Sequence, residues 1–566
     1  MKFRLRHLLE PRRDAPFPTW MIFPVIFAAL YLTHLSLLRL PYYWDEAGYY
    51  IPAAWDFFRT GSLIPSTTVS NAHPPLPSIY LALWWKASGF DPEVTREAVL
   101  LVASLGLLAV WRLALKLTAS AQVAFWTVVL TGLYPIWFAQ SSLAHADIFA
   151  AACTLWGLVY ALPARDSKGD GAEDRQWIAA LWFMAAALCK ETAVVVPATL
   201  ALLRMVNVVR GPAVERAPAL REIVWLIASG LPLCGWYAWH YAKTGFVFGN
   251  PEFLRYNAQA TLTPLRILAA FGHRILHLTA HMNLFVPSML TLAAMMLKPR
   301  PDRLGQEREK QERKPIARAA LGRIFWLLLA NALLFSVLGG ALLTRYLLPM
   351  YPLVLVVAVS TFHRRVPHWQ GLAALSAAAF VAALFVNPPY RFAPEDNLAY
   401  ARVIRMHMQG IAELNRRYRG STVLSAWPAT DELARPELGY VKEAYAVDRI
   451  EDFSELQIER AAAEPEKYST ALVFSTKYDP PSLPLSLGPR SEAVDEKYFG
   501  LHHDLSPEAI ALRLHGSLVW QREDHGFWIG LIRFDRQIEA VNSLVGSDAL
   551  STQWRLCPAP GLVPNL

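Results

Sequence analysis

The sequence predicts an all-α polytopic membrane domain, with about eleven transmembrane helices and added juxtamembrane helices, followed by a soluble α/β domain. Three observations predict it. Of 566 residues, 54% are hydrophobic and 18% charged, where a soluble chain carries about 25% charge. The apolar residues fall in blocks of roughly 17–25, the length that crosses about 30 Å of hydrocarbon as a helix. No such block occurs after Val386. The predicted domains are therefore 1–386 in the membrane and 387–566 outside it.

The basic stretch 2–13 precedes the first apolar block, 20–38, and no small-residue cleavage site follows before Trp44. That block is read as an uncleaved first helix. Lys/Arg clusters mark cytoplasmic loops; they lie at the N-terminus, 204–221, 298–323 and 363–365, with a weaker one at 165–175. With these inside, the first helix runs outward and further spans follow at 97–116, 121–140, 147–163, 177–189, 193–206, 222–241, 279–297, 321–340, 346–361 and 369–386. Segment 76–90 is apolar but short, opens on prolines and carries Lys86 beside Trp84-Trp85. It is placed flat on the outer surface, its tryptophans at the headgroups.

Beyond 386, strand-like runs (423–425, 471–474, 527–534) alternate with polar helical patterns such as 398–417, and 480–489 reads as a Pro-rich loop. After an odd number of spans this α/β domain lies outside the cytoplasm. The net charge of +8 forms no stripe of the kind that binds nucleic acid. Cys153, Cys189, Cys234 and Cys557 have neither CxxC nor ligand spacing, so neither a disulfide framework nor a zinc site is expected.

This topology collects ionisable residues on one membrane face. Asp45 and Glu46 follow the first span, His73 precedes the interfacial segment, and Arg96 opens the next span. His145 and Asp147, Lys190 and Glu191, and Arg345 with Tyr346 lie in later turns of the same face. Ionisable groups at such positions mark reaction centres or ion sites. Carboxylates supply a base or hold a cation; Arg and Lys at headgroup level suit a phosphate. A phosphate held there implies a substrate with a hydrocarbon tail. Local readings stand beside these: Asp147 as a helix N-cap, Lys190 snorkelling beside Glu191, Arg345 as an interfacial anchor.

The ordered set Trp44-Asp45-Glu46-Ala47-Gly48-Tyr49-Tyr50, His73-Pro74-Pro75-Leu76, Arg96, His145-Ala146-Asp147, Lys190-Glu191-Thr192 and Arg345-Tyr346-Leu347-Leu348-Pro349 resembles the GT-C class of integral membrane glycosyltransferases that use polyprenyl-phosphate sugars. That class includes protein O-mannosyltransferases, lipid A aminoarabinose transferases and lipopolysaccharide-core galacturonosyl transferases. The resemblance covers residues 1–386. Where members carry Glu-Lys-Pro at the interfacial motif, this chain has Ala72-His73-Pro74.

The resemblance implies a hexosyl or pentosyl transferase of the bacterial inner or plasma membrane, serving the cell envelope, with its N-terminus cytoplasmic and its active site and C-terminal domain periplasmic. The expected donor is an undecaprenyl-phosphate-type sugar; the acceptor is lipid A or lipopolysaccharide, another glycolipid, or a protein in O-glycosylation. Asp45 would be the base, with Glu46 and Asp147 as further catalytic carboxylates. His73, Lys190, Arg345, Tyr346 and Arg96 would face the donor phosphate, and Glu191 and His145 would support them. A divalent metal is not required; if present, Asp45 and Asp147 would hold it. The reaction would be an inverting single displacement. A transporter or lipid flippase with a soluble outer domain is the alternative, and would carry acids or broken helices at mid-membrane and internal repeats.

Overall fold

The computed structural model describes residues 19–165, 175–210, 216–251, 255, 261–301, 313–480 and 489–534. The basic N-terminus, Cys557, residues 302–312 of the 298–323 loop, the centre of 165–175, residues 211–215 of the 204–221 cluster and residues 481–488 of the Pro-rich loop lie outside the described residues.

Every predicted span contains a helix. In chain order they begin with α1 (Thr19–His34), α2 (Ile51–Thr60), α3 (Leu76–Ser88), α4 (Pro92–Thr118), α5 (Ala121–Leu133), α6 (Pro135–Gln140) and α7 (Ala146–Ala161). Then come α8 (Gln176–Cys189), α9 (Val195–Arg210), α10 (Arg216–Ala228), α11 (Leu231–Thr244), α12 (Pro264–Thr279), α13 (Phe285–Met295), α14 (Arg318–Val337), α15 (Tyr351–Arg365) and α16 (Gln370–Phe385). Caps explain several boundaries. The Asp91 side chain accepts from Glu93 N–H at the start of α4, and Ser120 accepts from Val123 N–H at the start of α5. Pro135 ends α5 and opens α6 at its first position, where its missing N–H costs nothing.

Among the described residues, four helices are long and apolar enough to cross a membrane by themselves, or five if the bent pair Pro264–Asn283 and Phe285–Met295 is one span. The expected count was about eleven. The difference arises because five more apolar helices are only 10–17 residues long. Two of them adjoin irregular turns, 141–145 before α7 and 190–194 after α8, the first of them buried. Non-helical backbone at membrane depth is tolerated where protein covers it or a cavity adjoins it. Ser141 to Ala144 are at most 1% exposed, as that rule requires. α3 has 13 residues, about 20 Å, shorter than a span.

α12 is an addition to the expected helices. It buries Arg266, Ala270, Arg274 and Leu278 on one side and exposes Leu265, Leu268, Ile275 and Leu276 on the other. Its axis turns by 98° into α13 through Met282 and Asn283, which have φ of 48° and 63°.

Beyond α16 come α17 (Ala399–Arg417), β1 (Val423–Ala426), α18 (Ala429–Ala434), β2 (Val447–Ile450), α19 (Glu455–Ala462) and β3 (Thr470–Phe474). They are followed by α20 (Pro489–Phe499), α21 (Pro507–Arg513), β4 (Ser517–Asp524) and β5 (Phe527–Arg533). The five strands form one sheet in the order β2-β1-β3-β5-β4. β1 is parallel to β2 and β3, with Val423 opposite Val447 and Thr470. β5 runs antiparallel to β3 and β4, with Leu472 opposite Leu531. β1 and β3 are buried along their whole length, the signature of strands covered on both faces.

The core of this sheet is continuous with the mouth of the helical bundle. Leu37, Leu40, Tyr43, Phe138 and Leu143 belong to the same buried cluster as Tyr400, Leu424, Leu472 and Ile529. Leu438 O accepts from Tyr42 N–H at 3.2 Å, and Arg435 donates to Thr67 O at 2.9 Å. The sheet therefore sits against the turn that follows α1.

Candidate active site

That turn is pinned by a buried ion pair. Arg96, 1% exposed on α4, donates to both carboxylate oxygens of Glu46, at 3.1 and 3.2 Å. Its remaining donors go to the carbonyls of Leu40, Pro41 and Ser142. Glu46 also accepts from Tyr43 N–H at 3.1 Å and Ala144 N–H at 2.6 Å. A guanidinium has five N–H groups, and all are committed to protein acceptors. Arg96 and Glu46, expected at the phosphate and among the catalytic carboxylates, are instead packed together beneath the turn. Their neighbour Asp45 is left out of this pair and stays half-buried. Asp45 has helical backbone and Glu46 opens the helical turn Glu46–Tyr50, so the two adjacent carboxylates point about 100° apart.

Arg345 collects the site. It lies in the short turn Thr344–Leu347 between α14 and α15 and is 2% exposed. Its guanidinium pairs with Asp45, with Glu395, and with Asp147 Oδ2 at 3.3 Å from Nε. Asp147, in the first turn of α7, is also paired with Lys190, the residue that ends α8. The Lys190 ammonium stands 4.1 Å from the centre of the Tyr346 ring, a cation–π contact. Gly339 admits that ring: its φ is 93°, and a Cβ there would lie 3.1 Å from Tyr346 Cε2. Asp45, Asp147, Lys190, Arg345 and Tyr346 thus converge from four separate turns.

His73 and Glu191 form a neighbouring pair at 3.2 Å, with the imidazole lying against Tyr49 and Tyr50. His145 is fully buried, its Nδ1 2.9 Å from Gln140 Oε1 and 4.0 Å from Glu395, while Nε2 has no partner.

Four residues absent from the sequence-based set join the site. Glu395 completes the ring of carboxylates on Arg345. Asp396 holds His281 Nε2 at 2.9 Å and the Thr344 hydroxyl, bracing the turn that carries Arg345. Arg274 on α12 donates to Phe335 O at 3.1 Å and Leu343 O at 2.7 Å, lies 5.7 Å from the Tyr346 ring centre, and keeps one buried nitrogen, Nη2, without a partner. A signal for Glu395 and Asp396 was present: an acidic pair just after the last apolar block, matching Asp45-Glu46 after the first.

A cleft of about 320 Å³ opens beside these groups. Asp147, Lys190, Arg345 and Tyr346 line one part of it, Ala150 and Phe335 another. A second hollow, about 360 Å³, lies beyond His73 between Tyr49, Phe57 and Pro75. Chemically, Lys190 and Arg345 are cations suited to an anion, and Asp45 is the most accessible of the carboxylates on Arg345. The arrangement does not fit a resident metal at Asp45 and Asp147, because Arg345 already occupies the position between them. Among the described residues no group of three or more His, Cys, Asp or Glu side chains is placed to hold an ion.

No protein-family model matches the sequence, and no curated protein sequence matches it. Solved structures do. ArnT from Cupriavidus metallidurans bound to undecaprenyl phosphate aligns with a TM-score of 0.51 at 13% identity, over 90% of this chain and 97% of that one. The same protein in the apo state aligns at 0.50 and 14%, over 90% and 98%. The arabinofuranosyltransferase AftD from Mycobacteria aligns at 0.44 and 12%, over 81% of this chain and 35% of that one. Over nine-tenths of its length, with buried turns carrying charge at the mouth of a helical bundle and a small sheet against them, the chain has the fold of ArnT.

Proposed function

We propose that this chain is a membrane glycosyltransferase that moves a sugar from a polyprenyl-phosphate donor to a hydroxyl of an extracytoplasmic acceptor, with inversion. The observation that carries the reading is Arg345. It gathers Asp45, Asp147 and Glu395, and together with Asp147 and Lys190 it lines a cleft that Ala150, Val196 and Phe335 also line. The fold supports it, since a protein of the same fold has been crystallised with undecaprenyl phosphate.

In this reading residues 1–386 supply the catalytic helices and 387–566 a sheet-bearing cover, with Glu395 reaching back into the site. Asp45 takes the proton of the acceptor hydroxyl, whose oxygen attacks the anomeric carbon. The bond to the phosphate breaks, and its electron pair leaves on the phosphate oxygen. Lys190, Arg345 and Arg274 offset the charge that develops there. A positioned base contributes about 10²–10⁴-fold, and removing a preorganised electrostatic contact costs about 10²–10³-fold. Asp147 orients Lys190 and Arg345, His73 and Glu191 form the wall toward the second hollow, and Arg96 with Glu46 position the turn. The acceptor class is lipid A, lipopolysaccharide core, another glycolipid or a protein, and the site faces the periplasm.

The transporter reading is less well supported, because the ionisable residues sit at helix ends. The test incubates purified enzyme with labelled polyprenyl-phosphate sugars and a membrane glycolipid extract. Transfer by the wild type, lost in Asp45→Asn, is expected. An Asp45→Asn protein with undiminished transfer would remove the base from the mechanism, and no transfer with any donor would overturn the reading.

A further inference from the structure

The three carboxylates on Arg345 are not equivalent. The side chains of Asp147 and Glu395 keep 2% and 3% of their accessible surface, and that of Asp45 keeps 35%. Asp147 is held a second time, by Lys190. A donor phosphate received by Arg345 has to take the place of one of these anions. Detaching Glu395 would leave a buried carboxylate without its cation, which is costly, and Asp147 is tied in place by Lys190. Asp45 alone can turn to water or to a hydroxyl.

The charge count points the same way. Arg345, Lys190 and Arg274 face Asp45, Asp147 and Glu395, with Asp396 behind them on His281 and Thr344, so the named carboxylates already outnumber the permanent cations. An arriving phosphodiester adds a negative charge and repels the carboxylate that is anchored least.

We infer that Asp45 and Arg345 mask each other in the free protein, and that the donor's phosphate, by replacing Asp45 on Arg345, frees the carboxylate to receive the acceptor hydroxyl. Binding is then ordered, donor before acceptor. The inference rests on the roles proposed above for Asp45 and Arg345. After the displacement the acceptor's proton is on Asp45, and the polyprenyl phosphate is still on Arg345. Loss of that proton to water restores the anion, which competes again for the guanidinium and helps to expel the product. Glu395 stays in place throughout as a positioning residue that keeps Arg345 aimed at the cleft.

The experiment measures undecaprenyl phosphate binding to the purified full chain in nanodiscs. Masking predicts that Asp45→Asn binds this lipid about tenfold tighter than the wild type, although its transfer activity is lost, because no ion pair has to be broken first. Glu395→Gln should show no such gain. Unchanged or weaker binding by Asp45→Asn overturns the inference. Should that variant not fold, the wild type still decides: labelled glycolipid from an extract active in the transfer assay is expected to be retained only when undecaprenyl phosphate is present, and equal retention without it overturns the order. A wild type that binds no undecaprenyl phosphate would instead sink the proposed function.

Discussion

Trp427, at the end of β1, packs edge-on against Trp44 with ring centres 4.6 Å apart, and its indole covers Gly48. A strand end of the sheet thus bears directly on the residues either side of Asp45-Glu46. A Cβ at Gly48 would meet Trp427 Cζ2 at 3.2 Å, so one of the two must give way. Gly48→Ala is expected to cost about 1–3 kcal/mol and to lower kcat. The loss should be partly recovered in the double variant Gly48→Ala/Trp427→Phe, measured by melting temperature and transfer rate.

Arg96→Leu is expected to fail differently from Asp45→Asn. It leaves Glu46 buried and without its cation, a change worth about 3–5 kcal/mol. Fluorescence-detected gel filtration after a heat step should show Arg96→Leu largely lost and Asp45→Asn intact. Equal stability of the two would contradict the structural role of the Arg96–Glu46 pair.

Lys190 should be separable from the scaffold. Lys190→Ala removes a cation from the cleft and one partner from Asp147. Transfer is expected to fall about 10²–10³-fold in kcat/KM for the donor. Lys190→Arg should regain part of it, because the charge persists while the cation–π geometry with Tyr346 changes. A variant with wild-type kinetics would take Lys190 out of the phosphate site.

The sheet carries its own pH dependence. Burial raises the Asp504 carboxyl, but hydrogen bonds from His502 and from the Thr476 hydroxyl and N–H outweigh it, so the group titrates below the ordinary aspartate range. A depressed carboxyl contributes stability above the unfolded value, about 3.9, and loses it as pH falls through the folded value. Asp504→Asn should therefore flatten the acid unfolding curve of the full chain between about pH 5 and pH 1, followed by tryptophan fluorescence. An unchanged curve would dismiss Asp504 as an acid-sensitive contact.

The helical spans were legible because an apolar block is a local property of sequence. Asp45, Asp147, Lys190 and Arg345 were legible for a related reason, since ionisable residues at block ends are rare and conspicuous. Arg96 and Glu46 belong to the same visible class. What they touch depends on where the carbonyls of Leu40, Pro41 and Ser142 turn inward, and no local pattern encodes that. Arg274 was missed because α12 is too polar to read as membrane, and His281 because the span predicted over 279–297 takes as one straight helix a stretch that turns at Met282 and Asn283. Glu395 and Asp396 were missed because the boundary at 386 assigned them to another domain, although they pack against the turn that bears Arg345.

The short helices have one further consequence. α1, α7 and α16 have 16 residues each and α8 has 14, about 21–24 Å of rise, against a hydrocarbon slab of about 30 Å. Where such a helix faces lipid, as α1 and α16 do with Leu32 and Leu375 exposed, the mismatch is met by local thinning of the bilayer or by flanking residues reaching outward, at a modest cost per ångström. For the donor proposed above, a thinner leaflet shortens the distance its phosphate has to travel from the headgroup level to Arg345. The thickness of the host bilayer then becomes a determinant of turnover, and longer-chain lipids are expected to slow the protein without altering a single side chain.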